Sequence, residues 1–282
     1  YFLEINQIIS LESMNLSAPM VFHLSINMLN GALFLAVLPY LAKFLEKTFP
    51  VPVVDTGTKS AGAVYLSQDD IGHPVRAMAN VRNETLRIAD IAFQMLEGIP
   101  AAFSNAKNIA KVKQLDDDID HIHREVTYYL SSIENLKTTK EAQNNWQDAF
   151  NFATNLEHVG DIVDASLMVL ARKKHKAGIA FSESGQQELE TLFEELFEIF
   201  RLSQAVYVSQ NPGLANELVD AKHVYRNKII LCREQHTQRL REQVTASLES
   251  SQIHVDILRD LQRICSLLVA TAYPIIKRDG FQ

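Results

Sequence analysis

Helix breakers are scarce in this chain of 282 residues. It has 10 glycines and 8 prolines, and most of the prolines lie before residue 101. Proline removes a backbone donor and clashes within a helix, so long stretches free of it are what an α-helical protein requires. Cysteine is nearly absent. Cys232 and Cys265 stand alone, in no CxxC pair and no metal-ligand spacing, which leaves a disulfide framework or a zinc site unsupported. Two isolated thiols fit a reducing compartment. A long basic stripe is missing too: the formal net charge is -7 and the pI about 5.7, which argues against a nucleic-acid partner. The densest cationic run, Arg172-Lys173-Lys174-His175-Lys176, falls where a helix C-terminus is expected, and cations suit the dipole there. No Gly-rich phosphate loop and no nucleophile–base constellation stands out, so the chain reads as a non-enzyme. It begins at Tyr1 with no charged n-region or cleavage site, so it reads as a piece of something longer, without a signal peptide.

What is present points to helices. A hydrophobic fraction of 47% over this length supports one or two domains with sizeable cores. Residues 13–42 contain no Asp, Glu, Lys or Arg, and such a length can cross a bilayer as a helix. Lys43 and Lys47 follow it, which places the rest of the chain in the cytoplasm by the positive-inside rule. His23, Asn27, Asn30 and Pro39 suit a helix packed inside a larger membrane bundle better than one facing lipid. The alternative is a buried or partner-binding helix of a soluble protein. Residues 1–48 are thus expected to be a membrane segment and 49–70, with Pro50, Pro52, Gly57 and Gly62, a linker.

Six helices are expected in residues 71–282, over about 74–98, 103–135, 140–175, 184–210, 213–245 and 249–278. Apolar residues recur at helical spacing in each, as at Leu189, Leu192, Phe193, Leu196, Ile199 and Phe200. Asn155–Asp161 in the third helix and Asp260–Ser266 in the sixth occupy equivalent places, and Ile122-x-Arg124 echoes Val224-x-Arg226, at near-equal offsets. The fold class expected is all-α, two three-helix units side by side, with repeat one at 71–178 and repeat two at 182–280.

One cluster could carry chemistry. Asp116 and Asp120 are four apart, on one helix face, and Glu157 and Asp161 repeat that spacing on the next helix. The two helices are antiparallel around a short turn near 135–139, and the acidic pairs lie nearly equidistant from it. They should therefore meet at one height, with Gly160 allowing close approach. Converging carboxylates repel unless a cation neutralises them, and an all-oxygen site suits iron, manganese, magnesium or calcium. A solvated acidic face is the plainer alternative. Asp118-x-x-His121 and Asp120-x-x-His123 look like di-iron ligand motifs, but such bundles need these motifs on two helices, and here both lie on one.

These residues also resemble a known family. Phe22-His23-Leu24-Ser25-Ile26-Asn27 looks like the HxxFN stretch of bacterial sodium/phosphate cotransporters (the Na/Pi cotransporter II-related family), with Ile in place of the usual Phe. Residues 65–74 and 77–87 are similar to the segment that follows in that family. Leu115–Val126 and Asn155–Asp161 resemble the acidic motifs of PhoU-like domains. The resemblance implies a PhoU-like pair of three-helix bundles that regulates a sodium-dependent phosphate transporter. It implies a bacterial plasma-membrane location with the helical domain in the cytoplasm, and a membrane-embedded transport core as partner. A homodimer or a signalling protein are further expected partners. It assigns Asp116, Asp120, Glu157 and Asp161 as metal ligands. Repeat two departs from the pattern, with Gln262 and Ser266 where acids are expected, so one metal site is implied. The rival reading is a soluble PhoU-type adaptor or phosphate-signalling regulator.

Overall fold

The computed structural model describes residues 18–48, 62–133 and 139–280. The first part of the expected linker, residues 49–61, and the turn at 134–138 lie outside these. The chain divides into two compact units, Tyr1–Lys59 and Ser60–Gln282.

In the first unit, α1 spans Ala18–Thr48. Most of its described apolar side chains, among them Leu29, Phe34 and Leu35, are exposed. Among the described residues, no helix is long and apolar enough to cross a membrane. The membrane-spanning helix expected from residues 13–42 is thus not found in that form. His23, Asn27 and Asn30 recur at spacings of four and three, so they form one polar stripe that dilutes the helix.

The second unit contains α2 (Pro74–Ser104), α3 (Ile109–Ser132), α4 (Lys140–Ile162), α5 (Met168–Ala177), α6 (Glu183–Ser209), α7 (Pro212–Arg241), α8 (Thr245–Val269) and α9 (Ala272–Asp279). A π-helical turn over Val163–Leu167 joins α4 to α5, so the two continue as one long element. The first three-helix unit is α2, α3 and α4–α5. The second is α6, α7 and α8–α9. They meet where α4 packs on α8 and α2 on α6.

Helix starts follow side-chain chemistry. Ser182 Oγ accepts from the Gly185 amide at the start of α6, Asn211 Oδ1 from the Leu214 amide before α7, and Thr139 Oγ1 from the Ala142 amide before α4. At the end of α5, Gly178 takes φ 65°, and the Ile179 amide reaches back to the Lys174 carbonyl. The basic run sits in that last turn, as expected.

Several boundaries differ from expectation: the second helix starts at Ile109, not near 103, and the fifth ends at Arg241. The first bundle helix does not stop at Gly98; α2 runs on through it and Pro100 to Ser104. A Cβ on Gly98 would lie 2.9 Å from Val112 Cγ2, so this glycine serves a close approach of α3 rather than a helix end. The last helix, expected to run unbroken to about 278, is interrupted at Ala270–Thr271.

Residues 62–67 are not loose. Glu84, wholly buried on α2, accepts from the Val64 and Tyr65 amides at 3.0 and 2.8 Å. Arg87 joins Glu84 to the Gly62 carbonyl, and Tyr129 Oη donates to the Ser67 carbonyl at 2.7 Å. A buried carboxylate satisfied in this way fixes the entry of the chain into the bundle.

Candidate functional site

The apolar stripe of α3 runs Ile109, Val112, Ile119, Ile122 and Val126. Asp116 falls in register with it and is therefore buried, only 9% exposed, whereas Asp120 lies at the edge of the stripe. On α4 the core positions are Leu156, Val159 and Gly160, which leaves Glu157 and Asp161 flanking the seam. The structure brings Asp120, Glu157 and Asp161 together: each can place a carboxylate oxygen within 4.8 Å of the other two. Asp116 stands beside this trio, against Gly160. Its Oδ1 is 2.9 Å from where a Cβ on that glycine would sit, so the close approach expected of Gly160 is a packing requirement.

The electrostatics are unbalanced. Asp116 Oδ1 is buried with no hydrogen-bond partner. Burial first, then the neighbouring Asp120, Asp164 and Asp161 charges, raise the Asp116 pKa to about 7, with Lys113 opposing. Asp120 is raised by burial and by Asp161, and Glu157 by burial, Asp161 and Asp120. The donors are all carboxylate oxygens, an array that offers charge and geometry to a hard cation and little to a soft one.

His121 and His123 stay out of the trio, whereas His158 Nε2 lies 3.5 Å from Glu157 Oε2. His121 turns toward Glu125 at 3.4 Å, and His123 Nε2 lies 3.3 Å from Thr154 Oγ1. This is why the carboxylate-x-x-His spacing builds no di-iron arrangement. Asp164 was not anticipated. It sits in the π-helical turn, its Oδ1 buried without a partner and its Oδ2 3.4 Å from Lys113 Nζ. The Asp161-x-x-Asp164 spacing was the only signal for it. π-Turns inside α-helices occur frequently at functional sites.

Repeat two replaces the acids as expected. Gln262 accepts from Arg233, and the Ser266 hydroxyl donates to the Gln262 carbonyl. Both line a cleft with His158, Asp161, Arg259 and Arg263, so the two equivalent segments face each other between α4 and α8.

The PhoU domain family matches residues 85–164, which contain all four carboxylates of the expected site. Over 259 residues the chain is 29% identical to the Escherichia coli K12 protein described as "Putative inorganic phosphate export protein YjbB", covering 91% of this chain and 47% of that protein. The Salmonella typhimurium protein of the same description is 28% identical over the same extent. The chain thus spans about half the length of the curated relatives it matches. These relatives are described by phosphate export, and the cotransporter resemblance, with its sodium coupling, gains no support from them. The crystal structure of PhoU from Pseudomonas aeruginosa superposes with a TM-score of 0.66 at 14% identity, covering 73% of this chain and 98% of that one. The chain therefore has a PhoU-like, all-helical fold, with its acidic face inside the segment that matches the PhoU domain.

Proposed function

We propose that this chain is the helical regulatory part of a membrane phosphate-transport system, not an enzyme, and that Asp116, Asp120, Glu157 and Asp161 hold one hard cation. The observation that carries the reading is the likeness to phosphate export proteins along 91% of the chain, about half of their length. The exposed apolar side chains of α1 suit packing within a membrane bundle, and a membrane-embedded transport core is the partner this implies. The helical unit then faces the cytoplasm at a bacterial plasma membrane. A cation of iron, manganese, magnesium or calcium would neutralise the acidic face and fix the spacing of α3 and α4. The buried, partnerless Asp116 oxygen and the all-oxygen donor set support this. A homodimer or a signalling protein would receive the signal.

A second reading is as well supported: a PhoU-type regulator acting through protein partners with no transport role. It draws on the likeness to PhoU and on the absence, among the described residues, of a helix long and apolar enough to span a membrane. Expression of the full-length gene separates the two. The transport reading expects the product in the membrane fraction, and phosphate release from loaded cells that changes when Asp120→Asn and Asp161→Asn are combined. A product wholly in the soluble fraction, with phosphate release unaffected by loss of residues 62–282, would leave the second reading standing.

A further inference from the structure

A cleft of about 1030 Å³ opens between the two three-helix units, away from the acidic trio, where the N-terminal half of α4 faces α9. On the α4 side, Lys140, Asn144, Gln147 and Asn151 recur at spacings of four and three and so present one polar face. Opposite them stand Tyr273, Lys277 and Arg278. The guanidinium of Arg278 is already committed, at 2.8 Å from Asp148 Oδ2 and 3.0 Å from Gln210 Oε1.

The lysines are not. Among the described residues, the lysines in ion pairs are Lys113 and Lys228. Lys140 and Lys277 line the cleft, and among the described residues neither has a carboxylate at ion-pair distance. Lys222 donates to Tyr273 Oη at 3.1 Å, and its ammonium lies 5.5 Å from the Tyr273 ring centre. Glu141 also lines the cleft, and Asp148 is balanced by Arg278, so a positive excess remains in a chain whose net charge is -7. Compact ammonium groups on flexible stems meet phosphate oxygens as point charges, without the fixed fork of an arginine. Amide side chains add donors, and the half-exposed Tyr273 ring gives a flat surface beside them.

We propose that this cleft binds a phosphate-bearing small anion, held by Lys140 and Lys277 between the two three-helix units. The site draws on both units, so its occupant would tie them together. The proposal stands apart from the cation on the acidic face and from any transport role.

The test is calorimetric titration of the full chain in chelator-containing, low-salt buffer with inorganic phosphate, tripolyphosphate or ATP. Saturable binding is expected, weakening as salt rises. It should fall at least tenfold in Lys140→Gln/Lys277→Gln, whose unliganded melting temperature should stay unchanged because both side chains are exposed. Asp120→Asn/Asp161→Asn should bind as the unaltered chain does, so an empty acidic face leaves this site intact. Equal binding of tripolyphosphate and ATP assigns a phosphate chain. Binding of ATP alone, lost in Tyr273→Leu, assigns a nucleotide. Phosphate binding as tightly as either assigns the free ion. No saturable binding of any of the three, or equal binding by the double lysine variant, overturns the proposal.

Discussion

In the second three-helix unit, the buried Asp260 and the half-buried Glu188 lie beside cations, whereas in the first, Asp116 is buried among other carboxylates. Glu188 receives both arms of Arg239 at 2.5 and 2.7 Å. Asp260, fully buried, lies 3.3 Å from Arg259 and Arg263 and accepts from Ser166. Two stacked imidazoles, His236 and His254, complete the second unit's buried polar layer. The first unit can satisfy a buried acid when structure demands it, as Glu84 shows with Arg87 and two backbone amides. The unpartnered Asp116 oxygen is the feature that supports the proposed cation on the acidic face, since an unpaired buried acid costs stability.

The largest effect should come from unbalancing the balanced side. Arg239→Leu leaves the half-buried Glu188 without its bidentate partner, and up to about 3 kcal/mol should be lost in urea denaturation. Glu188→Leu/Arg239→Leu should recover most of that. If the single variant costs no more than a surface pair, about 0.2–1 kcal/mol, the contrast between the units is not one of charge compensation.

Acid should separate the units next. Burial, then the neighbouring His236 and Arg239, hold the His254 pKa at about 3, against an ordinary 6.5. The unfolded chain therefore takes up a proton between those values that the folded chain refuses, and stability falls as pH falls through that window. Asp116 acts oppositely. Its pKa of about 7 exceeds the ordinary 3.8, so cation-free stability falls as pH rises from about 4 to about 7. Against pH, denaturation midpoints should lose the rise of stability with pH in His254→Phe and the opposing fall in Asp116→Asn, the two windows overlapping between about 4 and 6.5. The reverse assignment would break the comparison.

A smaller effect is expected at the seam. Gly160→Ala should push the Asp116 carboxylate aside, since the added carbon would sit 2.9 Å from Oδ1, at a net cost of about 1 kcal/mol after alanine's better helix propensity. Gly160→Ala combined with Asp116→Ala should cost less than the glycine change alone, and equal costs would place the strain elsewhere.

Much of this arrangement was legible in the residues. Apolar spacing pointed to six helical regions, and the structure places a helix in each. The i, i+4 acids and the antiparallel pairing brought Asp120, Glu157 and Asp161 together. The stripe of α3 also held the depth of Asp116, since position 116 falls in phase with Val112 and Ile119. Other features depended on tertiary contact. Gly98 and Pro100 look like a helix end, but the packing of α3 against Gly98 favours continuation, and tertiary context overrides propensity there. The π-turn that carries Asp164 has no local signature in Val163–Leu167. The docking of residues 62–67 depends on Glu84, Arg87 and Tyr129, which are distant in sequence.

The smallest change tests the central claim most directly. Without added cation, Asp120→Asn/Asp161→Asn should melt slightly higher than the unaltered chain, because carboxylate repulsion is relieved. With manganese, iron, magnesium or calcium at a hundredfold excess over the dissociation constant, the unaltered chain should gain about 2.7 kcal/mol and the double variant none. Thermal melts of both proteins with and without each cation give the answer. A melting temperature of the unaltered chain that no cation moves would contradict the account and make the acidic face a solvated surface.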